Sequence, residues 1–259
     1  AYINLQKEQG RLTSGEADYW KEKIGNLQEY QYGYHKGWSM ILDTLTWPVL
    51  IMMLICIGIA PIFAGEYQSK CDSLILCMKY GRSKLILAKI ISGWLYATGV
   101  YWGITLIYSS IYMIFLGTQG ADLPIQLKYP AMSVGYNLTM GEAVGITLLL
   151  GYFFTLGIMG ITLFMSALLK NTYAVIIVAF LLIIIPTFLS LDTGGYVWSH
   201  VLSLLPPKIA DFSFQSYTAY SIGNIVLSWP VMAILVNAIV AVLCSVLGYI
   251  IFRKHQVNK

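Results

Sequence analysis

The sequence predicts an all-α, polytopic membrane protein, and two observations carry this prediction. Only 11% of the 259 residues are charged, less than half of the roughly 25% typical of soluble globular proteins. Five segments also contain no Asp, Glu, Lys or Arg: 44–65, 90–121, 143–169, 171–191 and 212–252. Each is long enough for the ~20 helical residues that cross a bilayer core. Their continuous apolar runs exclude the alternating pattern of a membrane β-barrel strand.

The charge-free segments predict five spans within one transmembrane domain, 44–252. We place them near 44–64, 87–116, 143–169, 172–190 and 226–252. The fourth span is short, and only Lys170 and Asn171 separate it from the third, so these two spans are expected to form an antiparallel hairpin. The remaining parts are a segment at 1–43, a loop at 65–86, a second loop at 191–225 and a tail at 253–259.

Basic residues predict the orientation of the spans. Segment 65–89 contains five Lys or Arg residues against two acidic ones, and the tail begins with Arg253 and Lys254. The positive-inside rule places both, together with Lys170, in the cytoplasm. Segments 1–43 and 191–225 then lie outside. We expect a multi-pass protein of the cell membrane, of the kind found in the bacterial cytoplasmic membrane, with a cytoplasmic C-terminus.

The predicted orientation implies that a further span precedes the chain. Residues 1–20 contain no apolar stretch that could carry the 1–43 segment across the membrane. We therefore expect a missing first span, which would make six in the native chain. Translocation of the N-terminal tail without a signal is the alternative. Outside the membrane, Thr13 and Glu16 resemble a capping box, and Ala17, Trp20, Ile24 and Leu27 follow at the spacing of a short amphipathic helix.

The interiors of the spans lack the groups that most transport and catalytic chemistry would need. They contain no ionisable residue, which argues against proton-coupled transport. The sequence also has no G-x-x-x-x-G-K-[ST] phosphate loop and no H-E-x-x-H motif. We therefore expect no enzymatic activity, no bound metal or cofactor and no nucleic-acid partner. Active transport would need energy from another chain.

Small residues recur at helix-packing spacing within the spans. The pairs are Ala60 and Ala64, Gly93 and Ala97, Gly151 and Thr155, and Thr162 and Ser166. Such pairs let helix backbones approach each other in lipid. We interpret them as ordinary helix packing, and a specific dimer interface is the alternative.

The cytoplasmic loop is the most informative segment. Tyr67, Cys71, Leu74 and Met78 lie at i, i+4, i+7 and i+11, which predicts one amphipathic helix. Gly81 is expected to end this helix, and Ser83 is expected to cap the next one. On this pattern alone, two interpretations stay open. The helix docks into a groove of another protein, or it rests on the lipid surface.

Motifs in and around this loop resemble a transporter family. Phe63-Ala64-Gly65-Glu66-Tyr67, Leu74-Ile75-Leu76, Gly81-Arg82-Ser83-Lys84 and Ala88-Lys89 are similar to permease subunits of ATP-binding-cassette exporters of the second export class (ABC-2 type). Upstream, Tyr32-Gly33-Tyr34 and Gly37-Trp38 fit as well. The order of the spans and the loop 191–225 before the last span, with Pro206-Pro207, also fit, so the resemblance covers most of the chain. Members of that family begin with a cytoplasmic interface helix and a first span, and both are absent here.

The resemblance implies a role for the loop. It implies docking on a separate nucleotide-binding ATPase subunit, which holds ATP and Mg²⁺, and transmission of its closure through Glu66 and the following helix. The docking residues would be Glu66, Tyr67, Lys70, Cys71, Leu74, Met78 and Arg82. The Glu66 carboxylate would pair with a basic residue of the ATPase or with Arg82, and the sequence does not choose between them.

The resemblance also implies an assembly and a class of substrate. A second permease subunit, identical or related, would complete an exporter that moves an amphipathic or hydrophobic substrate, lipid-like or peptide, outward. Two alternatives from other classes remain. One is a membrane immunity or interaction protein that does not pump, and the other is an ion-uncoupled facilitator or channel.

Overall fold

The computed structural model is mostly helical, with one small β-hairpin. It describes residues 2–8, 10–25, 32–44, 47–78, 80–81, 83–129, 134–189, 195–215, 217–222 and 225–254. The helices are α1 Tyr2–Glu8, α2 Ser14–Gly25, α3 Lys36–Asp43, α4 Trp47–Ile59, α5 Pro61–Gln68, α6 Asp72–Cys77, α7 Lys84–Leu116, α8 Met140–Leu168, α9 Thr172–Phe188, α10 Gly195–Leu202 and α11 Trp229–Lys254. Two 3₁₀ turns lie at Ile125–Leu127 and Pro206–Asp211, and strands β1 Ala219–Ile222 and β2 Ile225–Ser228 pair antiparallel.

Four helical segments of the described chain are long and apolar enough to cross a membrane. They are Pro48–Gln68, Lys84–Leu116, Met140–Leu168 and Trp229–Lys254. They correspond to the first, second, third and fifth predicted spans, so the prediction of a helical membrane protein is confirmed. The fourth predicted span is α9, which has 17 residues and is about 25 Å long. That is shorter than the ~30 Å bilayer core, and the count of five is not confirmed.

Helix α8 is the centre of the bundle, and α4, α5, α7, α9 and α11 all pack against it. It begins at a capping box in which Thr139 and Glu142 each accept a hydrogen bond from the other's backbone N–H group. Its closest neighbour is α11. A methyl group added to Gly160 would lie 2.7 Å from the Cα atom of Ala241. Only a residue without a side chain fits there, because the two backbones are nearly in contact.

The predicted small-residue pairs lie at these helix contacts. All eight residues, Ala60, Ala64, Gly93, Ala97, Gly151, Thr155, Thr162 and Ser166, are buried. Their interpretation as packing residues is confirmed for the bundle of a single chain.

A proline interrupts the first membrane segment, and a serine of α8 forms hydrogen bonds with the backbone at the interruption. Pro61 has no backbone N–H group, and α4 ends just before it and α5 begins there. The Ser166 hydroxyl donates to the carbonyl oxygen of Ala60 at 2.7 Å. It also accepts the backbone N–H groups of Phe63 and Ala64 at 3.0 and 3.1 Å. In lipid, where water cannot bond these groups, one side chain thus satisfies three backbone groups at the kink.

The two ends of the bundle differ in character. We name the end that carries residues 63–71, 84–89, 167–171 and 249–254 the inner end, after the orientation that the sequence predicts, and the opposite end the outer end. The outer end is built from α1 to α3, α10, the 3₁₀ turns and the hairpin. There Asp43 and Lys128 form an ion pair, and the Trp38 indole N–H donates to the Thr118 carbonyl oxygen at 3.0 Å.

The predicted amphipathic helix at the N-terminal side exists as α2. Its capping box is present, with the Thr13 backbone N–H donating to the Glu16 carboxylate at 2.9 Å. Ala17 and Trp20 are fully buried, and the Trp20 ring makes an edge contact with Tyr217 at 5.3 Å. The side chain of Ile24, and Leu27 as a whole, lie outside the described part of the chain.

The last predicted span starts later than the sequence suggested. We placed its beginning near residue 226, but residues Ile225–Ser228 form β2 and the helix begins at Trp229. Segment 212–252 carries no charge over its whole length. Charge depletion alone therefore could not separate the apolar hairpin from the helix that follows it.

Candidate functional site

An ion pair anchors the predicted coupling loop to the bundle. The Glu66 carboxylate, in the last turns of α5, pairs with the Lys89 ammonium in the second turn of α7. Lys89 also donates to the carbonyl oxygen of Ile62 at 2.9 Å. The two side chains are only 15% and 23% exposed, respectively. Because little water reaches the pair, its attraction is stronger than that of a surface ion pair.

Sequence reasoning did not find Lys89 as the partner of Glu66. It expected Arg82 or a residue of another chain, and Arg82 lies outside the described residues. The signal was nevertheless present, since Lys89 stands at the start of the second span and closes the motif that resembles the transporter family. The second carboxylate oxygen of Glu66 is buried and accepts no hydrogen bond from any described residue.

Tyr67 belongs to the bundle and not to an exposed docking surface. Its hydroxyl donates to the carbonyl oxygen of Ala167, at the end of α8, at 3.2 Å. Its ring lies 5.5 Å from that of Phe252 in the last turn of α11, and Phe252 in turn lies 4.7 Å from Phe63. Tyr67 therefore ties the end of α5 to two further helices.

The next residue extends these contacts to α9. The Gln68 side-chain amide donates to the Asn171 side-chain oxygen at 3.1 Å. That oxygen also accepts the backbone N–H of Tyr173 at 2.9 Å and so caps α9. Four residues at the end of α5 thus contact α7, α8, α9 and α11: Phe63, Glu66, Tyr67 and Gln68. A displacement of the loop would therefore reach most of the bundle.

The single amphipathic helix predicted for 67–78 is interrupted in the structure. Lys70 has a φ of 54°, and its backbone N–H bonds to the Tyr67 carbonyl oxygen while that of Cys71 bonds to Glu66. This is a Schellman motif, the usual end of an α-helix. The left-handed position of this motif is normally occupied by glycine. Because the residue here is Lys70, the sequence did not indicate that the helix ends at this point. Tyr67 consequently does not share a helix with Leu74 and Met78.

Beyond the break, the short helix α6 presents apolar side chains to its surroundings. Leu74 is 70% exposed and Met78 51% exposed, and Cys71 and Cys77 are exposed free thiols. Apolar side chains of this size usually face lipid or another molecule. Both interpretations offered by the sequence therefore still apply to α6, but now to a shorter surface of Cys71, Leu74, Cys77 and Met78.

The return from α6 to the membrane also differs in detail from the prediction. α6 ends at Cys77 rather than at Gly81, and Gly81 is instead buried against the backbone carbonyl of Ile75, with no room for a side chain. Ser83 does occupy the N-cap position of α7, but its hydroxyl makes no capping hydrogen bond. The Lys84 ammonium lies over the ring of Tyr80 at 4.7 Å and helps hold this turn.

Comparison with known proteins places the chain in a family. The family profile described as "Protein of unknown function (DUF2705)" matches residues 21–257. The chain belongs to the DUF2705 family. No curated protein and no solved structure gives a match. The family description names no activity, so the function of this DUF2705 member must be argued from its site.

The inner end of this DUF2705 chain combines a mostly buried ion pair with an exposed apolar surface on α6. Among the residues that the structure describes, no three His, Cys, Asp or Glu side chains are grouped so that they could hold a metal ion. The charged pair Glu66 and Lys89 is largely neutralised within the bundle. What the site presents outward is the apolar surface of α6, joined to the helices by a tightly hydrogen-bonded turn.

Proposed function

We propose that the chain is the permease subunit of an ATP-driven exporter of the second export class. The observation that carries the proposal is the ion pair between Glu66 and Lys89. We call the loop at 65–86 the inner loop. The ion pair fixes the start of this loop to α7, and Tyr67 and Gln68 fix it to α8 and α9. A partner bound to α6 would thus act on several membrane helices at once.

Exposed residues of α6 support docking of a protein. Leu74 on α6 and Met78, directly after its end, are exposed apolar side chains four residues apart. This is a spacing of the anchors by which a helix binds in a groove of another protein. The chain has no phosphate-binding loop of its own. In this proposal, ATP and Mg²⁺ are held by a separate nucleotide-binding subunit that docks on the exposed residues Cys71, Leu74, Cys77 and Met78. Glu66 and Tyr67 connect this contact to the membrane helices.

The proposal includes a membrane arrangement. Helix α9 acts as a fifth crossing beside the four long segments, and the inner end with Arg253 and Lys254 faces the cytoplasm of a bacterial cell. A second permease subunit, identical or related, completes the transport pathway. The substrate is amphipathic or hydrophobic, because the interiors of the spans offer no charged residue to an ion.

Co-purification tests the proposal directly. The full-length protein, extracted in mild detergent from the cell that produces it, should bring with it a nucleotide-binding subunit whose ATPase activity it stimulates. Leu74→Asp should abolish this association. Val197→Asp is the matched control, because Val197 is equally exposed, at 72%, but lies at the outer end on α10.

Two outcomes would contradict the proposal, the first its exporter function and the second its docking surface. If no ATPase accompanies the wild-type protein and none is stimulated on mixing, a non-pumping interaction protein or a facilitator is favoured. If Leu74→Asp and Val197→Asp retain the ATPase equally, the docking surface is not α6.

A further inference from the structure

A pocket lies between α3, α4, α7 and α8 in the outer half of the bundle. It encloses about 610 Å³ of space, a figure that includes the open space at its entrance. Ile51, Tyr101, Ile104, Ser109, Thr147 and Leu148 are among the residues that line it. Nothing in the exporter proposal uses this pocket, although the assignment to the outer leaflet rests on the orientation that the proposal includes.

The pocket lies within the depth of the membrane. Thr147 is seven residues past the start of α8 at Met140, or about 10 Å along the helix axis. Ile104 lies near the middle of α7, in one of the segments without any charge. The nearest ion pair, Asp43 with Lys128, stands beyond the outer edge of the pocket, next to the lining residue Thr44.

The hydroxyl groups of the lining are bonded to the protein or buried within it. The Tyr101 hydroxyl donates to the carbonyl oxygen of Leu148 at 2.6 Å, and the Thr105 hydroxyl donates to the carbonyl oxygen of Tyr101 at 2.7 Å. The hydroxyl oxygens of Ser109 and Thr147 are buried, without a hydrogen-bond partner among the described residues. A ligand would therefore meet a wall that consists almost entirely of hydrocarbon.

The pocket borders the exposed face of α7. Ile104, 38% exposed, is the most exposed apolar residue of the lining and marks the opening beside this helix. Ile107, one turn further along α7, is 66% exposed. Most of the α7 surface is not covered by any other part of the described chain. A molecule in the surrounding bilayer can thus reach the pocket sideways without crossing a polar barrier.

We infer that this pocket binds one acyl chain of a membrane phospholipid from the outer leaflet. Four features select this occupant: the apolar wall, the absence of charge in the lining, the depth inside the membrane and the lateral mouth. An acyl chain gains from burial there as any apolar group does, and it needs none of the hydroxyls of the lining. The headgroup would remain outside, near the level of Asp43 and Lys128.

Photo-crosslinking tests the site. The purified full-length protein is reconstituted into vesicles of phosphatidylglycerol and phosphatidylethanolamine that contain a phosphatidylcholine with a diazirine in one acyl chain. After irradiation, labelled peptides are mapped by mass spectrometry. We expect label within residues 101–109 and 147–148, where the pocket lining lies on α7 and α8. A lipid with the diazirine in its headgroup should leave these residues unlabelled.

Two variants make the test specific. Ile104→Trp fills the mouth and should reduce labelling of the pocket at least fivefold, whereas Ile107→Trp adds the same bulk on the lipid face of α7 and should leave it unchanged. Thr147→Val removes a hydroxyl that an acyl chain does not use, so labelling should persist.

Each contrary result overturns the inference in a recognisable way. Equal labelling in wild type and Ile104→Trp means that the chain does not enter the pocket. Loss of labelling in Thr147→Val means that the occupant is held by hydrogen bonds. A crosslink between two protein chains through these residues means that a second copy covers the mouth.

Discussion

Lys89 reaches back from the second turn of α7 to Glu66 at the end of α5, and the pair closes the base of the inner loop. Exposed ion pairs stabilise proteins by only ~0–1 kcal/mol. This pair differs because both side chains are mostly buried and Lys89 also bonds to the Ile62 carbonyl oxygen. Removal of one partner should therefore destabilise the protein more than removal of one partner of an exposed pair.

Lys89→Met should destabilise the protein by about 2–4 kcal/mol, because the Glu66 carboxylate then stays buried without its counter-ion. This is somewhat less than the ~3–5 kcal/mol of a fully buried pair, since both side chains retain some exposure. Thermal unfolding in detergent measures the effect. The double variant Glu66→Gln with Lys89→Met, which leaves no charge behind, should recover most of the loss. A double variant as unstable as Lys89→Met alone would contradict this account.

Glu66→Ala addresses the proposed coupling role and not only stability. In the complex with the ATPase subunit, this change should lower transport-coupled ATP hydrolysis several-fold while the protein still inserts into the membrane. Glu22→Ala, on the exposed face of α2, is the control for loss of a carboxylate. Coupled activity that is unchanged in Glu66→Ala would move the coupling role to another part of the loop.

Ser166→Ala should weaken the kink between α4 and α5. The hydroxyl satisfies the carbonyl of Ala60 and two backbone N–H groups, and no water replaces it in lipid. We expect a loss of about 1–3 kcal/mol, the usual penalty for buried polar groups left unpaired. Ser92→Ala is the matched control, because Ser92 is exposed and bonds only within its own helix. Equal thermal stability of the two variants would show that the kink does not depend on Ser166.

The sequence predicted the membrane helices well but not how they are arranged. Charge depletion reports that a segment avoids water, and α7 and α8 satisfy this equally. Yet 61% of the most apolar stretch of α8 is buried within the protein, against only 11% of that of α7. Hydropathy cannot separate a central helix from a peripheral one, because lipid and protein interiors are similarly apolar.

The inner loop shows where local patterns stop being informative. The 3.6-residue period correctly predicted helix on both sides of Lys70, but it could not reveal the break, since a non-glycine residue there adopts a left-handed conformation. The pair of Glu66 with Lys89 could have been predicted, because opposite charges at the facing ends of consecutive spans lie at the same membrane surface. Contacts of Tyr67 with α8 and α11 could not, because they depend on tertiary packing.

Gly160→Ala should separate α8 from α11. The added methyl group would overlap the backbone of Ala241, which cannot move without displacing its helix. We expect a loss of at least about 1–3 kcal/mol, as found for overpacked sites. Gly145→Ala is the matched control on the same helix, because nothing lies within 4 Å of a methyl group there. That variant should be neutral or more stable, given the higher helix propensity of alanine. Equal destabilisation of both would exclude close packing as the cause.

Tyr220 should make the outer end sensitive to alkaline pH. Burial, together with the negative charge of Glu16, raises the pKa of Tyr220 to about 12, although its hydrogen bond with Ser203 acts in the opposite direction. The neutral phenol, which donates to the His200 carbonyl oxygen at 2.7 Å, is thus the form that the fold favours. Its stabilising contribution is complete below the ordinary tyrosine pKa of about 10 and is lost as the pH rises toward 12.

The thermal unfolding temperature of the wild type should therefore fall more steeply between pH 10 and 12 than that of Tyr220→Phe. Other tyrosines titrate in the same range, so the test is the difference in unfolding temperature between wild type and Tyr220→Phe. If this difference does not change between pH 10 and 12, Tyr220 does not contribute.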